Sequence, residues 1–243
     1  MNRSLRIVVL LVALATMSAW AAPVTQVVQL NNGNEFTIFV AGPDDSDKGI
    51  LLVHDWFGVS PFYHAAADKL AKNGFRVVSV DLYGGQSATT HTDAWNLMKV
   101  LDADQVAAKI DRTLDELRTP GRQIAIMGFS MGTQHAFSAA LRHDAITATV
   151  IWYGDTINDS DELKKLNGPV LAVYGSKDGP AADNAAIFSK AADGAGAAAE
   201  IWVYPGAQHA FAQPLFNQGT TYDPVATAAA WRLTVDFLAR QFE

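Results

Sequence analysis

The stretch Gly128-Phe129-Ser130-Met131-Gly132 decides the fold of this 243-residue chain. It follows the apolar run 123–127, which predicts a strand, and leads into a helix predicted from Gly132 to about Arg142. A serine between two such glycines, in a strand-to-helix turn, is the pattern of a nucleophile elbow. Side chains two residues before and after the serine would collide across the turn, so glycine is needed there. The hydroxyl then stands at a helix N-terminus, where unpaired amides favour negative charge.

The elements predicted on either side of this turn indicate an α/β fold. Two β-rich runs, 24–30 and 35–40, flank Asn31-Asn32-Gly33-Asn34 and predict an N-terminal β-hairpin. Alternating strands and helices then imply a mostly parallel central sheet with helices on both faces. The further strands are predicted at 50–53, 76–80, 148–152, 170–174 and 201–204, and the further helices at 65–72, around 106–117 and at 181–191.

The last helix is predicted to begin at Asp223-Pro224, a capping residue followed by a proline whose missing N–H costs nothing there. Its buried stripe is expected to consist of Trp231, Val235, Leu238 and Phe242. The alanine-rich stretch 191–199 is interpreted as a loop beside a helix rather than a domain boundary.

The N-terminus has the features of a secretory signal peptide. Arg3 and Arg6 precede the uncharged apolar run 7–15, and Ala19-Trp20-Ala21 is a small-x-small cleavage site. The apolar run is too short to span a bilayer, and no cysteine follows it that could carry a lipid anchor. We therefore expect residues 1–21 to be removed and residues 22–243 to form a single domain in the periplasm or outside the cell. An uncleaved anchor is the alternative.

The composition of the chain limits the classes of binding partner that it would attract. The formal net charge is −7, and it becomes −9 when the two arginines of the signal peptide are lost. An acidic chain without a basic run offers no attraction for nucleic acid or for an anionic membrane. The chain contains no cysteine, so disulfides, thiolate metal sites and a cysteine nucleophile are impossible. We expect a small-molecule substrate and no metal or cofactor; the oligomeric state is left open.

A serine hydroxyl needs a base to become a good nucleophile, and His209 is the histidine best placed for that role. It follows the last predicted strand, and the order Ser…Asp…His matches the order that the fold requires. His91 is predicted in a loop before a helix. His54 ends a central strand and is interpreted as a structural hydrogen-bonding residue.

The base needs a carboxylate to fix its tautomer and stabilise its charged form. Asp178 follows the strand at 170–174, one strand before the strand that leads to His209. Asp155 follows the preceding strand and is the competing candidate. We favour Asp178 because of its place in the strand order.

Acyl transfer also needs hydrogen-bond donors for the developing oxyanion. One donor should be the backbone N–H of Met131, which follows the predicted nucleophile. The other should come from the loop after the strand at 50–53, where Trp56 is the best candidate.

Several short motifs, in order, resemble the dienelactone hydrolase family of the α/β-hydrolase superfamily from about Gly49 to Phe242. The matching pieces are Asp55-Trp56-Phe57-Gly58, Asp81-Leu82-Tyr83, the elbow, Tyr153-Gly154, Gly175-x-x-Asp178 and His209-x-Phe211. The resemblance implies an α/β-hydrolase fold and a triad of Ser130, Asp178 and His209, with Trp56 and Met131 supplying the oxyanion hole. It also implies that Asp55 contacts the resting nucleophile; a solvated loop carboxylate is the equal alternative.

The chain departs from the family pattern in three respects, at four positions. Well-studied members have cysteine at the elbow, where this chain has Ser130. The members that open dienelactones hold the substrate carboxylate with two arginines, and the matching positions here are Gly85 and Gln213, which cannot pair with an anion. The second glycine that follows the elbow in the family is replaced by Thr133.

The function predicted from these residues is that of an exported serine hydrolase that cleaves carboxylic esters or lactones through an acyl-enzyme. Phe57, Tyr83, Tyr153 and Phe211, together with Trp56, are expected to line an apolar pocket. A thioesterase or peptidase using the same triad, and a non-catalytic binding protein that retains the fold, are the alternatives. The segment 85–103 could act as a lid, a point that the sequence leaves open.

Overall fold

In the computed structural model, which describes residues 23–214 and 216–243, eight strands form one sheet. The predicted signal peptide at 1–21 lies outside the described residues. The strands are β1 (Val24–Gln29), β2 (Glu35–Ala41), β3 (Lys48–Val53), β4 (Arg76–Val80), β5 (Gln123–Phe129), β6 (Ile146–Trp152), β7 (Val170–Gly175) and β8 (Ala199–Tyr204).

The strand order is β1-β2-β4-β3-β5-β6-β7-β8. β1 pairs antiparallel with β2, and β2 pairs antiparallel with β4, whereas the strands from β4 to β8 run parallel. The N-terminal hairpin and the mostly parallel sheet predicted from the sequence are therefore confirmed. β3 and β5 occupy the centre, which explains why their sequences are apolar without alternation: both of their faces are buried.

Within the described residues there are seven α-helices and a short 3₁₀ turn at Phe216–Gly219; the turn and the last helix follow the final strand. The helices are α1 (Pro61–Ala71), α2 (His91–Met98), α3 (Ala103–Leu117), α4 (Met131–Arg142), α5 (Ser160–Leu163), α6 (Pro180–Ala195) and α7 (Pro224–Gln241). None of the helices in the described part of the chain is both long and apolar enough to cross a bilayer.

Two sequence-based expectations about these helices are wrong. The alanine-rich stretch from Ala191 is not a loop, because α6 continues to Ala195 and ends only where Gly196 adopts a left-handed conformation with φ 66°. His91 is not in a loop but is the first residue of α2, which is capped by the Thr90 side chain. Alanine favours helix strongly, so the stop at Gly196 is the better boundary signal.

The helices cover both faces of the sheet, as the alternation of elements predicted. α1 and α7 pack on one face through residues such as Tyr63 and Trp231, whereas α3, α4 and α6 pack on the other. In α7, the side chain of Asp223 accepts hydrogen bonds from the N–H groups of Val225 and Ala226 at 3.0 and 2.9 Å, so the predicted cap is present. Of the expected stripe, Val235 is only half-buried.

A buried histidine ties together the carboxyl ends of β3 and β4. His54 follows β3 directly, and its Nδ1–H donates to the carbonyl of Asp55 at 2.5 Å. The N–H of Leu82, just beyond β4, donates to Nε2 at 3.1 Å. Burial lowers the pKa of His54 to about 4, so the ring is neutral, as an acceptor nitrogen requires. The interpretation of His54 as a structural hydrogen-bonding residue fits this geometry.

His54 should make the stability of the protein sensitive to mild acid. Its pKa in the folded state lies below the ordinary value of 6.5, so its contribution is complete above pH 6.5 and is lost as the pH falls towards about 4. At full protonation the loss would be about 3 kcal/mol. We expect the free energy of unfolding, measured by urea denaturation, to fall less steeply over this range in His54→Gln than in the wild type. Equal slopes in the two proteins would contradict this assignment.

Candidate active site

Ser130 occupies a sharp turn between β5 and α4. Its backbone has φ 49° and ψ −118°, in a region that residues other than glycine rarely adopt. The N–H of Ser130 donates to the carbonyl of Trp152 at 2.9 Å, which ties the turn to the end of β6. Such a conformation persists only when its surroundings hold it, and strained residues of this kind cluster at functional sites.

Three glycines allow the backbone to close around this serine. A Cβ on Gly128 would lie 2.4 Å from the carbonyl oxygen of Gly132, as predicted from the sequence. A Cβ on Gly132 would lie 2.5 Å from the carbonyl oxygen of His54, so the elbow rests directly on the end of β3. A Cβ on Gly154 would lie 2.4 Å from the carbonyl oxygen of Ser130. The turn therefore depends on close approach to both neighbouring strands.

Thr133, which replaces a family glycine, adds to this support. Its side chain is fully buried, and its hydroxyl lies 2.7 Å from the carbonyl oxygen of Ser130 and 3.0 Å from that of Asp155. The departure from the family pattern thus supplies a polar link between the elbow and the loop after β6.

The loops after β7 and β8 are brought together by another close contact. A Cβ on Gly175 would lie 2.4 Å from the carbonyl oxygen of Ala207, so only glycine permits this approach. The N–H of Lys177 donates to the same carbonyl at 2.8 Å. These contacts place Asp178, from the first loop, beside His209, from the second.

Ser130, His209 and Asp178 form one hydrogen-bonded line. The Oγ atom of Ser130 lies 3.0 Å from Nε2 of His209, and Nδ1 of His209 lies 2.9 Å from Oδ1 of Asp178. A carboxylate only accepts hydrogen bonds, so the proton belongs on Nδ1 and leaves Nε2 free to accept the proton of the serine. Asp155, the competing carboxylate, is instead within reach of the amides of Gln134 and Asn184.

A cavity of about 400 Å³ opens in front of Ser130. Trp56 and Met131, the two residues predicted to supply oxyanion-hole amides, line it together with the serine and His209. Its walls also include Met98, Gln134, Tyr153, Gly154, Asp155 and Asn184. The hydroxyl of Ser130, the ring of His209 and the two residues predicted to supply donors therefore belong to one cavity, as acyl transfer requires.

Asp55 is not the solvated carboxylate that the sequence allowed, since only 1% of its surface is exposed. The N–H of Phe57 donates to its Oδ1 at 2.9 Å, and Nε2 of Gln213 donates to its Oδ2 at 3.0 Å. Its own N–H donates to the hydroxyl of Tyr63 at 2.8 Å. Burial raises the pKa of the Asp55 carboxyl. Both carboxylate oxygens are thus held by groups other than Ser130, and the expected contact with the nucleophile is not made here.

Gln213 and Gly85, the two positions that match the family's arginines, make hydrogen bonds within the protein instead. Gln213 is buried and gives its amide to Asp55, a pairing that sequence reasoning missed because 158 residues separate the two. Gly85 is exposed, and its N–H donates to the carboxylate of Asp81.

Besides Trp56, two of the four other aromatic residues predicted to line the pocket do so. Tyr153 lines the cavity beside Ser130, and Phe57 lines a second cavity of about 320 Å³. Tyr83 lies behind the loop of Trp56, and its hydroxyl donates to the Trp56 carbonyl at 3.1 Å. Phe211 is fully buried in the core, stacked on Trp152. Both residues belong to the family motifs and were expected to face the substrate, but their side chains are buried in the protein interior.

The second cavity is aromatic, and sequence reasoning missed it. The rings of Phe57 and Phe216 form part of its wall, and their centroids lie 5.4 Å apart. The centroid of the Phe216 ring also lies 6.0 Å from that of the His209 ring. His91, at the start of α2, packs against Trp56, Phe57 and Phe216. Residues of the segment 85–103 therefore contact this end of the site.

Comparison with solved structures identifies the fold class of this protein. A crystal structure of a provisionally assigned dienelactone hydrolase from Klebsiella pneumoniae superimposes with a TM-score of 0.73 at 25% identity, over 90% of this chain and 99% of the other. A dienelactone hydrolase-like promiscuous phosphotriesterase from metagenomic libraries gives 0.78 at 18% identity, over 92% and 100%, which shows the shared fold. The architecture is that of the α/β-hydrolases.

Sequence comparison identifies the family to which the chain belongs within this fold class. The model of the dienelactone hydrolase family matches residues 36–242. A Yersinia pestis protein provisionally named carboxymethylenebutenolidase is 29% identical over 202 residues, which cover 74% of this chain and 76% of that protein. The chain belongs to the dienelactone hydrolase family and is a hydrolase of that family.

The glycine contacts at the elbow generate a stability prediction. Gly132→Ala would force a Cβ against the backbone carbonyl of His54, so we expect a loss of at least about 2 kcal/mol in the free energy of unfolding, measured by urea denaturation. Gly194→Ala in α6 is the matched control, because its Cβ would lie 2.8 Å from the hydroxyl oxygen of Ser160, an atom at the end of a side chain that can rotate away. Similar stability of the two variants would argue against backbone crowding at the elbow.

Proposed function

We propose that this protein is an exported serine hydrolase that cleaves carboxylic esters or lactones through an acyl-enzyme, using Ser130, His209 and Asp178. The observation that carries the proposal is the unbroken line from the strained Ser130 to a carboxylate, with 3.0 and 2.9 Å between successive groups. Membership of the dienelactone hydrolase family supports the substrate class, since the Yersinia pestis relative is provisionally named carboxymethylenebutenolidase.

Attack begins when Nε2 of His209 takes the proton of the Ser130 hydroxyl. Oγ then forms a bond to the carbonyl carbon of the substrate, and the carbonyl electrons move onto the oxygen. The amides of Trp56 and Met131 are the proposed donors to this oxyanion, and each such donor typically contributes about 10²–10³ in rate. Asp178 stabilises the imidazolium through the hydrogen bond to Nδ1.

The tetrahedral intermediate collapses when the bond to the leaving oxygen breaks. His209 returns its proton to that oxygen, which leaves as an alcohol, or stays tethered when the substrate is a lactone. Water then attacks the acyl-enzyme, with His209 again taking a proton, and the acid is released from Ser130. In a chain without cysteine, only an oxygen nucleophile can play this part at the elbow.

Ser130→Ala should abolish ester hydrolysis. Removal of a triad nucleophile costs up to about 10⁶ in turnover, because the acyl-enzyme route is lost. The measurement is background-corrected hydrolysis of p-nitrophenyl acetate by purified protein, together with the intact mass after treatment with a fluorophosphonate. We expect the wild type to gain the mass of one phosphonyl group at Ser130 and the variant to gain none.

Two results would reject this mechanism. One is wild-type turnover of the ester by Ser130→Ala, and the other is an unmodified mass for the active wild-type protein after fluorophosphonate treatment. Circular dichroism of the variant provides the control for folding, because a serine-to-alanine change adds no atoms to the elbow.

We also propose that residues 1–21 direct export and are then removed. The support is the sequence pattern of two arginines, an apolar run and a small-x-small site. Expression of the full chain in a Gram-negative host should place the protein in the periplasmic fraction, and N-terminal sequencing should begin at Ala22. Recovery of a cytoplasmic protein that begins at Met1 or Asn2 would be incompatible with export.

A further inference from the structure

The charged side chains that line the cavity in front of Ser130 are acidic. None of the described residues that line the cavity is a lysine or an arginine, whereas two are aspartates. Asp178 already gives one oxygen to His209, and Asp155 stands at the mouth with an exposed side chain. The cavity therefore presents a carboxylate to an incoming substrate without a matching cation.

The groups around Asp155 leave its charge in place. Nε2 of Gln134 lies 3.4 Å from Oδ2 of Asp155, and Nδ2 of Asn184 lies 3.3 Å from Oδ1. Both contacts are long, and both donors are neutral amides, so they orient the carboxylate without cancelling its charge. The backbone of Asp155 is fixed by the Thr133 hydroxyl, 3.0 Å from its carbonyl oxygen. The backbone position from which this carboxylate acts on the substrate is therefore fixed.

The second cavity offers a different environment. Its wall combines the apolar side chains of Phe57, Pro61, Ala88 and Phe216 with the uncharged polar side chains of Ser60, Ser87, Thr89 and Gln213, and it suits an uncharged group. The position that could have carried a cation at its edge, Gln213, is neutral and donates to Asp55. Among the residues that the structure describes, the walls of the two cavities therefore hold no lysine or arginine for an anionic substrate group.

We propose that Asp155 is a specificity-determining residue that selects against esters with an anionic group and favours neutral or cationic ones. This inference rests on the proposed ester hydrolysis at Ser130 and specifies its substrate class. A carboxylate on the part of the substrate that enters the Ser130 cavity meets Asp155 and is repelled; a quaternary ammonium there is attracted. The effect on kcat/KM is expected to be about fivefold in each direction, because the pair is partly screened by water.

The test compares three substituents at one position. The acyl series consists of p-nitrophenyl butyrate esters that end in carboxylate, methyl or trimethylammonium. The alcohol series consists of acetoxypropanoate, dimethylbutyl acetate and acetylcholine. After subtraction of the uncatalysed rate, the wild type should show the order cation, neutral, anion in at least one series. The order should flatten in Asp155→Asn, reverse in Asp155→Lys, and weaken in the wild type when salt is raised to about 1 M.

Asp183→Asn is the matched control, since it removes the same charge from an exposed residue of α6 that does not line the cavity. It should keep the wild-type order. Activity on both series without any charge order, or an order that persists in Asp155→Asn, would overturn the inference and leave the proposed function standing. If the wild type hydrolyses no member of either series, the proposed function fails and the inference fails with it.

Discussion

The close approach of three backbone segments at Ser130 is the constraint on which the rest of the site depends. The serine holds a conformation that a short turn could not maintain by itself, because φ near 49° is unfavourable for a residue with a side chain. Glycines at 128, 132 and 154 let β3, β5 and β6 close on the turn, and each position is too crowded for a Cβ. The central sheet thus sets the direction of the hydroxyl.

The same sheet brings Asp178 and His209 to the serine. Parallel strands release their loops at one edge, so residues from β7 and β8 reach the end of β5 without a long excursion of the chain. The contact between Gly175 and Ala207 then fixes the spacing of the two loops. Precision at the site comes from backbone packing, and the polar line from Asp178 to Ser130 is built on it.

Two substitutions relative to the family pattern form a consistent set. The buried pair of Asp55 and Gln213 satisfies a carboxylate that would otherwise be costly to bury, and it uses the side chain that stands where an arginine would bind an anion. Gly85 stands at the other such position and has no side chain to offer. With Asp155 at the mouth of the cavity, the polarity of the site is the opposite of one built to hold a carboxylate.

The elbow also accommodates Thr133, which stands where the family pattern has a glycine. Thr133 is larger than the glycine of the family pattern, yet its hydroxyl finds the carbonyl oxygens of Ser130 and Asp155. A threonine in the first turn of a helix can bond to nearby backbone groups in this way. The substitution therefore connects the turn of Ser130 to the residue that we assign to substrate selection.

The sequence by itself determined the elements and their order. Apolar runs, the Asn-Gly hairpin, the Asp223-Pro224 start of α7 and the Gly-x-Ser-x-Gly turn are local signals, and local signals survive without the fold. The family motifs also indicated Ser130, Asp178 and His209. Boundaries were less well determined, as α6 and His91 show, because alanine-rich and loop-like segments are compatible with either state.

Only the tertiary structure decided which side chains face one another. The pairing of Asp55 with Gln213, the inward direction of Tyr83 and Phe211, and the aromatic cavity around Phe216 all join residues distant in the chain. No periodicity or spacing encodes such contacts, because they depend on how loops from different strands pack at one edge of the sheet. The charge of the cavity is decided at the same level, by the loop that carries Asp155 and by the neutral amides that meet it.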